Sequence, residues 1–122
     1  MKILHLPLKA QWYNMIESGE KTEEYRMITP YWYQRLYQRK PEFAYAGRIS
    51  KSDAEYACDP DLRYILTVGG FKDELRPYTH VLFRYGYTRR TMLREIESIT
   101  IGRGNPKWGA PTDKDVFIIK FS

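Results

Sequence analysis

Within eight residues, Gly19-Glu20-Lys21-Thr22-Glu23-Glu24-Tyr25-Arg26, the chain brackets two adjacent carboxylates, Glu23 and Glu24, with two cations, Lys21 and Arg26. Opposite charges separated by ~4 to 6 Å favour the ionised form of each partner. Lys21 is therefore expected to stay protonated at neutral pH, which suits it to clamp a phosphate or a developing oxyanion rather than to act as a general base. Arg26 offers two-point binding to a phosphate or carboxylate. In an extended segment Thr22, Glu24 and Arg26 share one face. Beside Arg26 the Glu24 carboxylate is expected to titrate low, which makes it a weak base toward water. The same residues also read as an ion pair bracing a sheet, because structural networks shift titrations too. The two roles coexist wherever such a pair faces a cavity: breaking it there strands a charge at a cost of roughly 3 to 5 kcal/mol.

Three further groups carry chemistry. Arg84, Tyr85, Gly86 and Tyr87 interleave cations and aromatics, a pattern that suits base stacking beside phosphate contacts and equally suits packing at a strand end. Arg89, Arg90 and Arg94 extend a basic surface whose plain reading is a solvated face. Trp108, in the loop Gly104 to Pro111, is placed either to cover a cleft or to plug the end of a barrel.

Other chemistries are disfavoured. Gly102-Arg103-Gly104 lacks the third glycine and following helix of a dinucleotide fingerprint, and neither a phosphate-binding Walker loop nor a His-Glu-x-x-His pattern is present. With two histidines, His5 and His80, and one cysteine, Cys58, a zinc site and a Ser-His-Asp triad are both unexpected. Asp53, Asp59 and Asp61 read as turn residues rather than oxygen ligands of a metal. No cofactor is implied. Twenty Lys and Arg against fifteen Asp and Glu leave a net charge of +5, which favours polyanionic partners. The single cysteine suits a reducing cytoplasm, and neither a signal peptide nor an apolar run of about 18 residues is found, so a membrane partner is not expected.

These side chains must be positioned by a small number of elements. Met1 to Leu6 alternates as a strand, which Pro7 is expected to end. Leu8, Trp12, Met15 and Ile16 then form a helical stripe, closed by Gly19 at the position that takes a left-handed residue. Lys21 to Arg26 is expected as a second strand. Thr29-Pro30 reads as a helix cap followed by proline in the first turn, giving a helix over Tyr31 to Arg39 with Trp32, Tyr33, Leu36 and Tyr37 on its apolar side. Residues 42–76 show weak patterning, with turns at Gly47, Asp59-Pro60 and Gly69-Gly70 and a short element over Leu62 to Val68. His80 to Tyr85 alternates cleanly as a strand. Met92 to Ile101 is open to two readings: Met92, Leu93, Ile96 and Ile99 also fit a helix, whereas Ile99, Thr100 and Ile101 favour a strand, with a phase change near Ile96 of the kind a bulge gives. Val116 to Phe121 is apolar on both faces, as a central strand is. The order predicts an α+β fold with a curved or barrel-like sheet and a single domain over residues 1–122.

Gly19, Lys21, Glu24 and Arg26 fall on the G-x-K-x-x-E-x-R signature, and the chain resembles the ASCH domain family. The strand-helix-signature order from Met1 to Arg26, the segment Val81 to Tyr87, the long strand from Met92 and the last strand at Val116 extend the likeness. Residues 42–76 remain outside it. The resemblance implies a PUA-like, curved or closed mixed β-barrel with two or more flanking helices and a cleft edged by the signature. It also implies RNA or a nucleotide as partner, with Gly19, Lys21, Glu24, Tyr25, Arg26, Arg84, Tyr85 and Trp108 as candidate binding residues. Some ASCH members are hydrolases, so the alternative is a small hydrolase of a modified nucleoside or RNA, with Lys21 stabilising charge and Glu24 acting as base. In amidohydrolase-like members a threonine nucleophile stands where this chain has Glu24. Thr22 lies one side-chain step away, about 6 to 7 Å along a strand, too far to replace it. A third reading is protein association through the aromatic side of Tyr31 to Tyr37.

Overall fold

Alternation of buried and exposed side chains builds the first strand, β1 (Ile3–Leu8), with Leu4, Leu6 and Leu8 inside and His5 and Pro7 outside. The computed structural model describes residues 1–43, 46–59 and 72–122. Their backbone groups into two compact units, Met1–Arg26 with Pro77–Ser122, and Met27–Arg76.

In the first unit β1 is followed by the helix α1 (Ala10–Glu17), and β2 (Glu23–Met27) carries the signature carboxylate and arginine. β1 outruns the expected end at Pro7 because it is an edge strand, and an edge tolerates a residue with no N–H on its unpaired side. Leu8 consequently completes the strand's buried row instead of opening the helix, and α1 buries Tyr13 and Ile16. Met27 closes β2, and the chain continues through the second unit before it returns as β5 (His80–Tyr85), β6 (Thr91–Gly102) and β7 (Val116–Phe121).

The strands of this sheet run in the order β1-β5-β6-β7-β2. β1 lies parallel to β5, whereas β5–β6 and β6–β7 are antiparallel. The β6–β7 register shifts between Ile96 and Ser98, the phase change that the sequence pattern carries. Val81, Phe83, Val116, Phe117, Ile119 and Phe121 fill the core with the β1 leucines, and Phe83 meets Phe121 edge-on at 4.9 Å. Each such side chain contributes about 1.5 to 3 kcal/mol by leaving water. Among the described residues no ladder joins β1 to β2, so the sheet is open rather than closed into a barrel by hydrogen bonds.

In the second unit α2 (Pro30–Leu36) starts on the Thr29 hydroxyl, which accepts from the Trp32 N–H at 3.3 Å. The helix stops before the expected Arg39, and Tyr37–Arg39 forms β3, antiparallel to β4 (Asp73–Leu75). A ladder partner and two carboxylates for Arg39, Asp73 at 2.7 Å and Asp53 at 2.9 Å, outweigh one more helical turn. A third helix, α3 (Lys51–Cys58), lies in the stretch whose pattern was weak; Ser50 caps it by accepting from the Asp53 N–H at 3.1 Å. Asp53 therefore belongs to a helix's first turn, not to a loop. Tyr33, Leu36, Ile49, Ala54 and Ala57 are buried. The element expected over residues 62–68, the glycine pair at 69–70, Pro60 and Asp61 lie outside the described residues. No helix among the described residues is long and apolar enough to cross a membrane.

Candidate ligand pocket

Gly19 sets the geometry of the signature from outside the pocket. It follows α1 with φ of +88°, a conformation that favours glycine, and its N–H donates to the Ile16 carbonyl at 3.0 Å. The Lys21 N–H then closes on the Met15 carbonyl at 3.0 Å, which ties the start of the signature to the end of α1. Lys21 turns inward from there and is 1% exposed.

Its ammonium has a complete set of partners. It donates to Glu24 Oε1 at 3.0 Å and to the Trp108 carbonyl at 2.5 Å, and it lies 4.6 Å from the Trp12 ring centre and 5.3 Å from that of Tyr25. Burial is the main influence on it and lowers its pKa from the ordinary 10.5; attraction to Glu24 and the hydrogen bond between them oppose that shift without cancelling it. The direction of the shift is set by desolvation, which outweighs the neighbouring carboxylates that charge spacing alone takes into account. Lys21 also does not line the pocket; it is held beneath it.

Glu24, 4% exposed, links the floor to the rim. Its Oε1 accepts from Lys21 and from the Tyr25 N–H at 3.0 Å, while Oε2 faces Arg26 Nη1 at 3.2 Å. Arg26 donates through Nη1 to the Tyr25 carbonyl at 2.8 Å and through Nη2 to the Pro7 carbonyl at 3.3 Å. That last bond crosses from β2 to β1, the two edges that no ladder joins, so a side chain spans the seam and leaves room beside it.

The room is an open pocket of about 300 Å3. The end of β1 (Pro7, Leu8), Lys9 and Trp12 form one wall; Glu24, Tyr25 and Arg26 form another; Trp108 and Gly109 close it. Such a volume lies at the lower end of the range for small-molecule sites. Trp108 ends a single 3-10 turn, Pro106–Trp108, that Asn105 caps by accepting from the Lys107 N–H at 2.9 Å. Gly109 continues at φ +103°, where an added Cβ would lie 3.0 Å from the Trp12 indole.

Tyr25 fastens this loop. Its hydroxyl donates to Glu23 Oε1 at 2.8 Å and accepts from the Asn105 N–H at 3.0 Å. The ring packs with Ala110 and Val116 and against Trp108 and Ile118, and burial pushes the phenol's pKa well up. Tyr25 thus supports the pocket and does not offer a free stacking face.

Of the residues singled out by sequence, Glu24, Tyr25, Arg26 and Trp108 line one pocket, with Lys21 directly beneath. Gly19, Arg84 and Tyr85 do not line it. Tyr85 instead meets Tyr13 edge-on at 5.3 Å and lies under the Arg90 guanidinium at 5.1 Å, while Arg84 donates to the Thr88 carbonyl at 2.8 Å. Sequence reasoning missed Pro7, Leu8, Lys9, Trp12 and Gly109 as lining residues. The one available signal was Trp12, a large aromatic one helical turn after the end of β1. Among the described residues no group of three or more His, Cys, Asp and Glu side chains could hold a metal ion. No family model, curated protein or solved structure matches the chain.

Proposed function

We propose that the chain is an ASCH-type domain with a PUA-like sheet that binds a nucleotide or RNA in this pocket. The observation that carries the reading is the buried Lys21–Glu24 pair, extended by the partly buried Arg26, under an open hollow walled by Trp12 and Trp108. Burying these charges is costly, and a sheet can be braced without a cavity beside them. Two indoles supply apolar faces for a base, Glu24 supplies an acceptor for a base's N–H, and Arg26 and Lys9 supply positive charge for phosphate. The pocket accommodates about one nucleoside, so a strand would enter it by a single unit. In this reading Lys21 positions Glu24 and Trp108.

The test is titration of the four ribonucleoside monophosphates against the intrinsic tryptophan fluorescence. Saturable quenching that weakens on raising salt, and that is lost in Trp12→Ala and Glu24→Gln, is expected. Quenching that is absent, or unchanged in both variants, removes the proposal.

A hydrolase reading draws on the lowered pKa of Lys21, since shifted lysines cluster at reactive sites. Turnover of acylated nucleosides or short RNAs that disappears in Glu24→Gln would favour it. Protein association through Tyr31 to Tyr37 has less support, because Tyr33 and Leu36 are buried and Tyr37 stacks on Tyr33 at 4.7 Å.

A further inference from the structure

The turn joining β5 to β6 is tightly built and carries an outward aromatic. Gly86 takes φ +57°, and the Tyr85 N–H donates to the Arg90 carbonyl at 2.9 Å. The Thr88 N–H returns to the Tyr85 carbonyl at 3.1 Å and the Thr88 hydroxyl accepts from the Arg90 N–H at 3.2 Å. Arg84 closes the turn from the side through the Thr88 carbonyl. On this framework Tyr87 is 96% exposed, and Arg89 is exposed beside it. Packing does not explain Tyr87, and a rigid turn gains nothing from an aromatic side chain held in water.

The turn adjoins the pocket. The Gly86 N–H donates to the Leu8 carbonyl at 2.8 Å, and Leu8 lines the pocket wall. Tyr87 and Lys9 each follow that bond by one residue, ~3.8 Å of chain apiece. Lys9 is itself a lining residue, so that one bond joins the pocket wall to a turn bearing an exposed aromatic ring and, two residues beyond it, an exposed arginine. Arg90 contributes to the positive field although it also pairs with Glu17 at 2.7 Å.

We infer that the ligand is a single-stranded polynucleotide: one nucleotide occupies the pocket and its neighbour stacks on Tyr87, with the intervening phosphate between Lys9 and Arg89. The inference rests on the pocket reading above and deepens it. Alternating ring faces and cations is how proteins track a strand without reading its sequence, and the pocket supplies the one selective position. Tyr85, which sequence offered as the platform, is already engaged with Tyr13 and Arg90, so the role passes to the next tyrosine.

Fluorescein-labelled RNA and DNA octamers and the unlabelled monophosphates are titrated against the wild type and the double variant Tyr87→Ala, Arg89→Ala, with thermal melting as a folding control. Both positions are exposed, so the fold is retained. An octamer, of RNA or DNA, is expected to bind the wild type at least about tenfold more tightly than a monophosphate, and the double variant loses about that factor for the octamer alone. Arg89→Ala by itself shallows the salt dependence of octamer binding by about 0.7. Octamers that bind no tighter than monophosphates, or that ignore the double variant, overturn the inference and leave the pocket reading standing. A turn that serves a protein partner gives that second outcome. Absence of monophosphate and octamer binding alike overturns both.

Discussion

Two charge networks in this chain use the same parts and arrange them for different ends. In the first unit Lys21, Glu24 and Arg26 are joined by ion pairs of 3.0 and 3.2 Å, with Tyr25 bonded to the neighbouring Glu23. In the second, Arg39 lies between Asp73 at 2.7 Å and Asp53 at 2.9 Å, with the Tyr33 hydroxyl on Asp73 at 2.5 Å. The second network fastens elements: α2 through Tyr33, β3 through Arg39, α3 through Asp53 and β4 through Asp73. It reaches water at Asp53, which is 54% exposed on its side chain. The first has its lysine and glutamate sealed away, yet opens on a hollow through Glu24 and Arg26. Charges shared between elements at a surface are explained by architecture; charges buried beside open space are the ground of the ligand proposal.

The largest effect that separates the two is loss of Glu24. Glu24→Ala leaves the Lys21 cation buried without its carboxylate, and a drop of about 3 to 5 kcal/mol in urea unfolding is expected. Replacing both partners by apolar side chains, Lys21→Met with Glu24→Leu, restores most of that stability, because two compensated charges are exchanged for packing. The restored protein should still fail to quench with monophosphates. Recovery of binding along with stability would make the first network as purely architectural as the second.

Next in size is Gly104→Ala, which acts on the loop rather than on charge. A Cβ at this position would come within 2.6 Å of the Ala110 Cβ and of the Tyr25 ring. Overpacking of this kind costs about 1 to 3 kcal/mol. The displaced loop carries Trp108, whose carbonyl holds Lys21, so monophosphate affinity should fall with stability. A variant that melts earlier yet binds as well as the wild type would show that the loop does not shape the pocket.

How far these regions could be read in advance differs in the same way. The signature's charges were legible because all of them lie within one octapeptide; β5 was legible because its side chains alternate, β7 because it is apolar on both faces, and the β6 bulge because the pattern changes phase near Ile96. Lys21's burial was not, since a lysine three residues before a glutamate has the same spacing inside or in water. Pro7, Lys9 and Gly109 join the pocket only through tertiary convergence, which no local pattern carries, and Trp12 alone offered a signal. In the second unit Ser50 with Asp53 three residues on is a readable helix start, but Ala54 and Ala57 are too small to give α3 a strong apolar stripe. β3 was hidden because Tyr37 also continues the α2 stripe, and the choice was made by its partner β4.

A smaller effect appears in the dependence on pH. The folded-state pKa of Lys21 is lowered from 10.5, so between that lowered value and 10.5 the unfolded chain binds more protons and stability rises with pH. Tyr25, Tyr33 and Tyr37 act oppositely: burial raises their values from 10.0, Tyr37 to about 12, and stability is lost as pH climbs above 10. The lysine contribution is isolated by subtracting the unfolding free energy of Lys21→Met at each pH. The wild type is expected to gain on the variant as pH rises toward 10.5 from below. A difference that stays level over this window would place the Lys21 ammonium in water.

The smallest effect is expected where the second network meets solvent. Asp53→Ala removes one of Arg39's two carboxylates, yet the pair is half in water and Asp73 remains at 2.7 Å, so unfolding should change by no more than about 1 kcal/mol. Raising salt should shrink even that difference, because an exposed pair is screened while a buried one is not. Monophosphate binding should be unaltered. Glu24→Ala measured beside it under the same salts should keep its full cost, and equal, salt-sensitive losses in the two variants would erase the distinction between a network that fastens and one that faces a ligand.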